Sequence, residues 1–195
     1  MEQTSLTLLE RLREQEDHRA WQRFVDLYTP LIQRWVHVHG RVNLSDVEDL
    51  AQTVLEVVVR ELPSFDHNRN VGAFRCWLRR ITVNRLRAFW QDCEPAGSGN
   101  TDVLRMLNEL EDPHSGVSRQ LDREHDEHVA RRLLELVEGE FKTSTWEAFR
   151  RTAVEGQATK EVAEQLGVTM NAVLIAKSRV LSRLRLEMQG LIDKI

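Results

Sequence analysis

The side chains best placed to do chemistry in this sequence are arginines and aromatic rings. Residues 66–90 carry Arg69, Arg75, Arg79, Arg80, Arg85 and Arg87 against a single acid, Asp66, with Trp77, Phe89 and Trp90 set among them. Guanidinium groups neutralise phosphates and aromatic faces stack on unpaired bases, so this mixture suits a nucleic-acid strand. It equally suits a solvated basic helix whose tryptophans face a core. A second cationic run, Lys177, Arg179, Arg183 and Arg185, has no acid within residues 177–185. Between the two, residues 94–128 hold nine acids against three arginines, so the net charge of −4 hides a strong division. Local patches set the field that a phosphate would meet.

Other chemistries find little support. His125 and His128 lie one helical turn apart beside Asp126 and Glu127, a spacing that could suit a metal but that often arises by accident. Two cysteines, Cys76 and Cys93, are too few for a disulfide framework or a cysteine-rich zinc site. With no nucleotide-binding loop, metal quartet or nucleophile–base pair, an enzyme is a remote reading, and no cofactor or metal is expected.

Helices must position these groups. Four prolines and nine glycines in 195 residues leave few strand punctuators, and 41% apolar with 30% charged residues predicts an all-α globular fold. A first helix is expected from about Thr4 to Glu14 and a second from Asp17 or His18 to about Val38, with Pro30 kinking or restarting it. Ser45 and Glu48 have capping-box spacing, opening a helix whose Val47, Leu50, Ala51, Val54 and Val58 share one face. Asp46, Asp49, Gln52 and Glu56 form its acidic stripe, and Leu62-Pro63 stops it. A polar turn leads to the basic helix, expected over about 71–90 with Val71, Phe74, Leu78 and Ile81 inward. Residues 92–127, broken at Pro95-Ala-Gly-Ser-Gly and Asp112-Pro, read as an acidic flexible linker with a transient helix at 103–110.

Helical periodicity returns from about Ser118 to Glu138, and Ser144 and Glu147 again have capping-box spacing. Thr159 can cap a short helix to Leu166, Gly167-Val168-Thr169 gives a turn, and a longer helix starts at Met170. Ala163, Gly167 and Val173 are the small residue, the left-handed turn and the apolar anchor that a helix-turn-helix needs. Its second helix would enter a major groove with its first turns at base edges.

Asp46-Val-Glu-Asp-Leu-Ala-Gln, Ser64-Phe-Asp and Phe74-Arg-Cys-Trp-Leu-Arg-Arg-Ile, in this order, resemble region two of bacterial sigma factors of the two-domain extracytoplasmic-function group; residues 159–185 resemble region four. The resemblance implies an N-terminal bundle at 1–91, a linker at 92–127 and a helix-turn-helix domain at 128–195. It implies that Asp46, Asp49, Leu50, Gln52 and Glu56 bind the clamp helices of the largest subunit of core RNA polymerase, and that the flap is a second contact. His67, Asn68, Arg69 and Asn70 would surround a captured base of the −10 element, with Arg75, Arg79, Arg80 and Asn84 tracking the strand. Trp77 is expected to pack rather than stack on a base. At the −35 element, Thr169, Asn171 and Ala172 would lie near bases, and Lys177, Ser178, Arg179 and Arg183 would meet phosphates. Leu174 and Ala176 depart from the basic or polar residues common in the family, which puts the bases read in doubt. An anti-sigma factor or another signalling partner is expected to restrain the protein. The runner-up is a helix-turn-helix regulator that binds duplex DNA alone. No apolar run spans a membrane and no signal peptide is apparent, so a cytoplasmic protein without membrane insertion is expected.

Overall fold

The computed structural model describes residues 7–13, 17–65, 72–93 and 101–192, and every regular element among them is helical. They are α1 (Leu8–Arg13), α2 (His18–Arg34), α3 (Leu44–Glu61), α4 (Ala73–Cys93), α5 (Thr101–Glu111), α6 (Gly116–Glu138), α7 (Thr143–Phe149), α8 (Thr159–Leu166) and α9 (Met170–Met188). No described helix is long and apolar enough to cross a membrane.

The apolar stripes read from the sequence meet in one core. Phe24, Tyr28, Leu31 and Ile32 of α2 pack with Val47, Leu50, Ala51, Val54 and Val58 of α3 and with Phe74, Leu78 and Ile81 of α4. Edge-to-face contacts tie Phe74 to Phe24 at 6.1 Å and to Tyr28 at 5.4 Å. α2 begins with Asp17 as its cap, the carboxylate accepting from the Ala20 backbone N–H at 2.9 Å. The helix runs through Pro30 and passes into a π-helical turn at Trp35–His39. Proline has no N–H for the Asp26 carbonyl four residues back. Arg132 of α6 reaches that carbonyl at 3.5 Å, and His128 donates to the neighbouring Leu27 carbonyl at 2.7 Å.

The capping boxes did not form. Asn43, in extended conformation, opens α3 two residues before the expected cap Ser45, which leaves Ser45 inside the first turn. Lys142 opens α7, so Ser144 is helical, and Glu147 instead pairs with Arg150 and Arg151. Those two arginines hold the Glu147 carboxyl down at about 2. Ala158, not Thr159, caps α8.

The acidic segment also differs from the flexible linker expected. Residues 101–111 form α5, whose Val103, Met106, Leu107 and Leu110 are buried in the same core. α6 starts at Gly116 and runs unbroken past residue 127, so no boundary falls there. Four apolar side chains on one face make an isolated helix marginal. Packed against α4, the same face is stable.

Candidate nucleic-acid interface

α4 is helical from Ala73 through the rest of the basic stretch, and its length divides Arg75, Arg79 and Arg80 between two surfaces. Arg75 and Arg79, one turn apart, face α6, where Asp122 and Asp126 have the same spacing. Arg75 meets Asp126 at 2.9 Å and Asp122 at 3.2 Å. Arg79, only 5% exposed, meets Asp122 at 2.7 Å and the Ser118 carbonyl at 3.4 Å. Burial pushes the Asp126 carboxyl up, but its hydrogen bond from His125 and the charge of Arg75 outweigh this and hold it below its ordinary value. Two of the side chains expected to track a DNA strand are thus already occupied by carboxylates of the same chain.

Arg80 and Asn84, the other two, are exposed. Arg80 lines a cleft of 670 Å³ with Phe65, Trp77, Arg79, Glu111 and Pro113. Trp77 is buried and stacks on Phe65 with ring centroids 4.6 Å apart, which is packing, as expected of it. His67, Asn68, Arg69 and Asn70 lie outside the described residues, as does Val71.

The acidic face of α3 looks outward. Asp49, Gln52 and Glu56 are exposed and Asp46 is half-buried. Gln52 donates to Glu56 at 3.3 Å, and no arginine or lysine engages these carboxylates among the described residues. Leu50 does not belong to this surface. It is 7% exposed and sits in the core, because its position in α3 turns it to the same side as Val47 and Val54.

α8 and α9 cross on a small separate core of Val162, Ala163, Val173 and Ala176, with Ala148 from α7. Gly167 ends α8 in the left-handed region at φ 66°, and Thr169 caps α9 by accepting from the Ala172 N–H at 3.2 Å. Thr169, Asn171, Ala172, Ser178 and Arg179 are exposed and Lys177 is half-buried. Ala176 is inward, at 8% exposure, so a small residue there is required by packing. Arg183 is engaged rather than free: Glu140 accepts from it at 2.6 and 3.1 Å, and Glu187, 1% exposed, lies at 2.5 Å. Arg23 of α2 joins the same pair of acids, at 3.3 Å from Glu140 and 3.6 Å from Glu187. Burial raises the Glu140 carboxyl, yet Arg183 and Arg23 hold it below the ordinary value.

His125 is fully buried between Tyr28, whose hydroxyl lies 3.3 Å from Nε2, and Asp126, 3.0 Å from Nδ1. No group of metal-ligating side chains gathers there or elsewhere among the described residues. Sequence reading overlooked Asp122, Asp126, Glu140 and Glu187 as partners of the DNA-facing cations. The acid-rich composition of residues 94–128 and the matching four-residue spacing of Asp122 and Asp126 were the available signals for the first two.

Residues 24–92 match the family model for Sigma-70 region 2, in accord with the motifs that resemble that region. Among curated proteins, none matches the chain. Solved structures do, among them CnrH in complex with the cytosolic domain of CnrY, at 23% identity over 91% of this chain and 92% of that one, with a TM-score of 0.36.

Proposed function

We propose that the chain, whose residues 24–92 match the model for Sigma-70 region 2, is a two-domain sigma factor of the extracytoplasmic-function type. It directs core RNA polymerase to promoters and helps open the −10 element. The matched segment carries this reading. Its support is the pair α8 and α9, whose left-handed Gly167, cap at Thr169 and small crossing core have the form of a helix-turn-helix.

Under this reading Asp46, Asp49 and Glu56 of α3, which no arginine or lysine engages among the described residues, meet a basic helix of the polymerase together with Gln52. Arg80 and Asn84 are ready to meet a strand, along with the 67–70 turn. Arg75 and Arg79 join them only after α6 has moved, because Asp122 and Asp126 hold them otherwise. The first turns of α9 dock in the −35 major groove, with Arg179 and Lys177 on its phosphates. Arg183 is released for the same task only if Glu140 and Glu187 let go. A signalling partner that holds the closed arrangement would restrain the protein, and catalysis belongs to the polymerase.

The test is co-purification of tagged protein with bacterial core polymerase, followed by run-off transcription on genomic promoter fragments. A stoichiometric complex starting at discrete sites is the expected result. Failure to bind core, with specific duplex binding by the protein alone, would replace this reading with a helix-turn-helix regulator.

A further inference from the structure

The outward face of α9 begins with side chains that cannot hydrogen-bond. Leu174 is 52% exposed, Ile175 43%, and Met170, one turn before Leu174, 51%. Val173, Ala176 and Val180 point inward, and successive residues of a helix turn by about 100°. Leu174 and Ile175 therefore share the outer surface with Asn171, Ser178 and Arg179, all exposed. Single exposed aliphatic residues are ordinary on any protein. Three within six residues, at the start of a helix with four cations and no acid from Met170 to Leu186, are a local concentration.

Charge decides the class of partner. Lys177 and Arg179 lie beside the apolar side chains, and neither is engaged by a carboxylate among the described residues. A cationic rim around an apolar centre fits a polyanion that offers an apolar feature of its own. In the major groove the base edges present one such feature, the C5-methyl group of thymine. Resting on the promoter-binding reading above, we propose that Leu174 and Ile175, with Met170 at the groove entrance, select thymine by its methyl group. The upstream element is then specified partly by apolar contact, while Asn171 supplies hydrogen bonds to adenine nearby and Lys177 and Arg179 stay on the phosphates.

The experiment uses the full chain assembled with core polymerase. Bound sequences are selected from duplexes randomised upstream of a fixed −10 region, and each selected thymine is replaced in turn by uracil, which lacks only the methyl. At one or two positions uracil should weaken binding roughly fourfold per methyl, the equivalent of one buried methyl-sized group. Leu174→Ser or Ile175→Thr should abolish that difference at its own position, with circular dichroism verifying the fold of each variant. Equal binding of thymine and uracil duplexes throughout would overturn the proposal while leaving the promoter reading intact. So would variants that discriminate as well as the parent; these would assign the apolar surface to a protein partner. If no polymerase complex forms, the promoter reading fails by itself, and the same selection with the protein alone still decides whether α9 senses the methyl.

Discussion

Replacing Asp122 with alanine should detach the α5–α6 layer from α4 before it unfolds the protein. Arg79 is 5% exposed and, among the described residues, has one carboxylate partner within 4 Å, Asp122 at 2.7 Å; without it the Ser118 carbonyl at 3.4 Å and the Cys76 thiol at 3.9 Å remain there. Removing one partner of a buried ion pair costs about 3–5 kcal/mol, and the 25% exposure of the Asp122 side chain places this pair at about 3 kcal/mol. Arg75 softens the loss little, since it keeps Asp126 at 2.9 Å. The stranded Arg79 guanidinium regains water if α6 lifts away, so the cost falls on that contact and not evenly on the bundle. At about 1.4 kcal/mol per tenfold, the opening equilibrium should rise by about 150-fold. Amide hydrogen exchange of α5 and the first half of α6 reads this directly, with α2 and α3 as internal controls. Binding of a single-stranded oligonucleotide by the free protein should strengthen in parallel, because Arg79 loses its Asp122 partner. Exchange rates in α5–α6 within threefold of the parent, or an increase shared equally by α2 and α3, would refute the reasoning.

Other consequences follow from the same geometry. Burial holds His125 and His128 below the ordinary histidine value, so the unfolded chain binds more protons than the folded one below about pH 6.5. Thermal stability should be complete above that pH and fall as it drops toward 5.5, less steeply in His125→Gln; a midpoint flat across this range would contradict the assignment. Gly167→Ala meets no atom within 4 Å but keeps φ 66°, so it should cost about 1–2 kcal/mol by denaturant unfolding, and an unchanged midpoint would exclude strain at this turn. Arg179→Ala should lower promoter affinity and flatten its salt dependence without changing stability. Arg183→Ala should instead lower the melting temperature, because Glu187 keeps only Arg23 at 3.6 Å; identical behaviour of the two variants would cancel the distinction. Asp49→Arg should weaken capture by core polymerase while leaving the circular dichroism spectrum unchanged, and undiminished capture would remove α3 from that interface.

Local chemistry was legible in the sequence, and distant pairing was not. The stripes of α2, α3 and α4 and the turn at Gly167 depend on residues within a few positions, and periodicity or backbone preference exposes them. The capping boxes show how weak such a signal is when alternatives lie adjacent: Asn43 took the role assigned to Ser45, and Lys142 that assigned to Ser144. Leu50 fitted both the apolar and the acidic list, and its angular position on α3 resolves it as core. α5 was underestimated because Val103, Met106, Leu107 and Leu110 stabilise a helix only against a partner surface absent from any local window. The Arg75–Asp126 and Arg79–Asp122 pairs join residues 51 and 43 positions apart, so the shared four-residue spacing of the arginines and the aspartates shows that they could match without showing that the two helices meet.

Pro30 carries a mechanical consequence. The gap it leaves in the α2 ladder is a fixed notch, and Arg132 and His128 of α6 key into the two carbonyls beside it. Sliding α6 along α2 by one turn, about 5.4 Å, would move both keys off their carbonyls. Shear along this seam therefore loses both of these hydrogen bonds at once. If α6 leaves α2 and α4, as the proposed function requires for Arg75 and Arg79, the notch brings it back to one register when it returns.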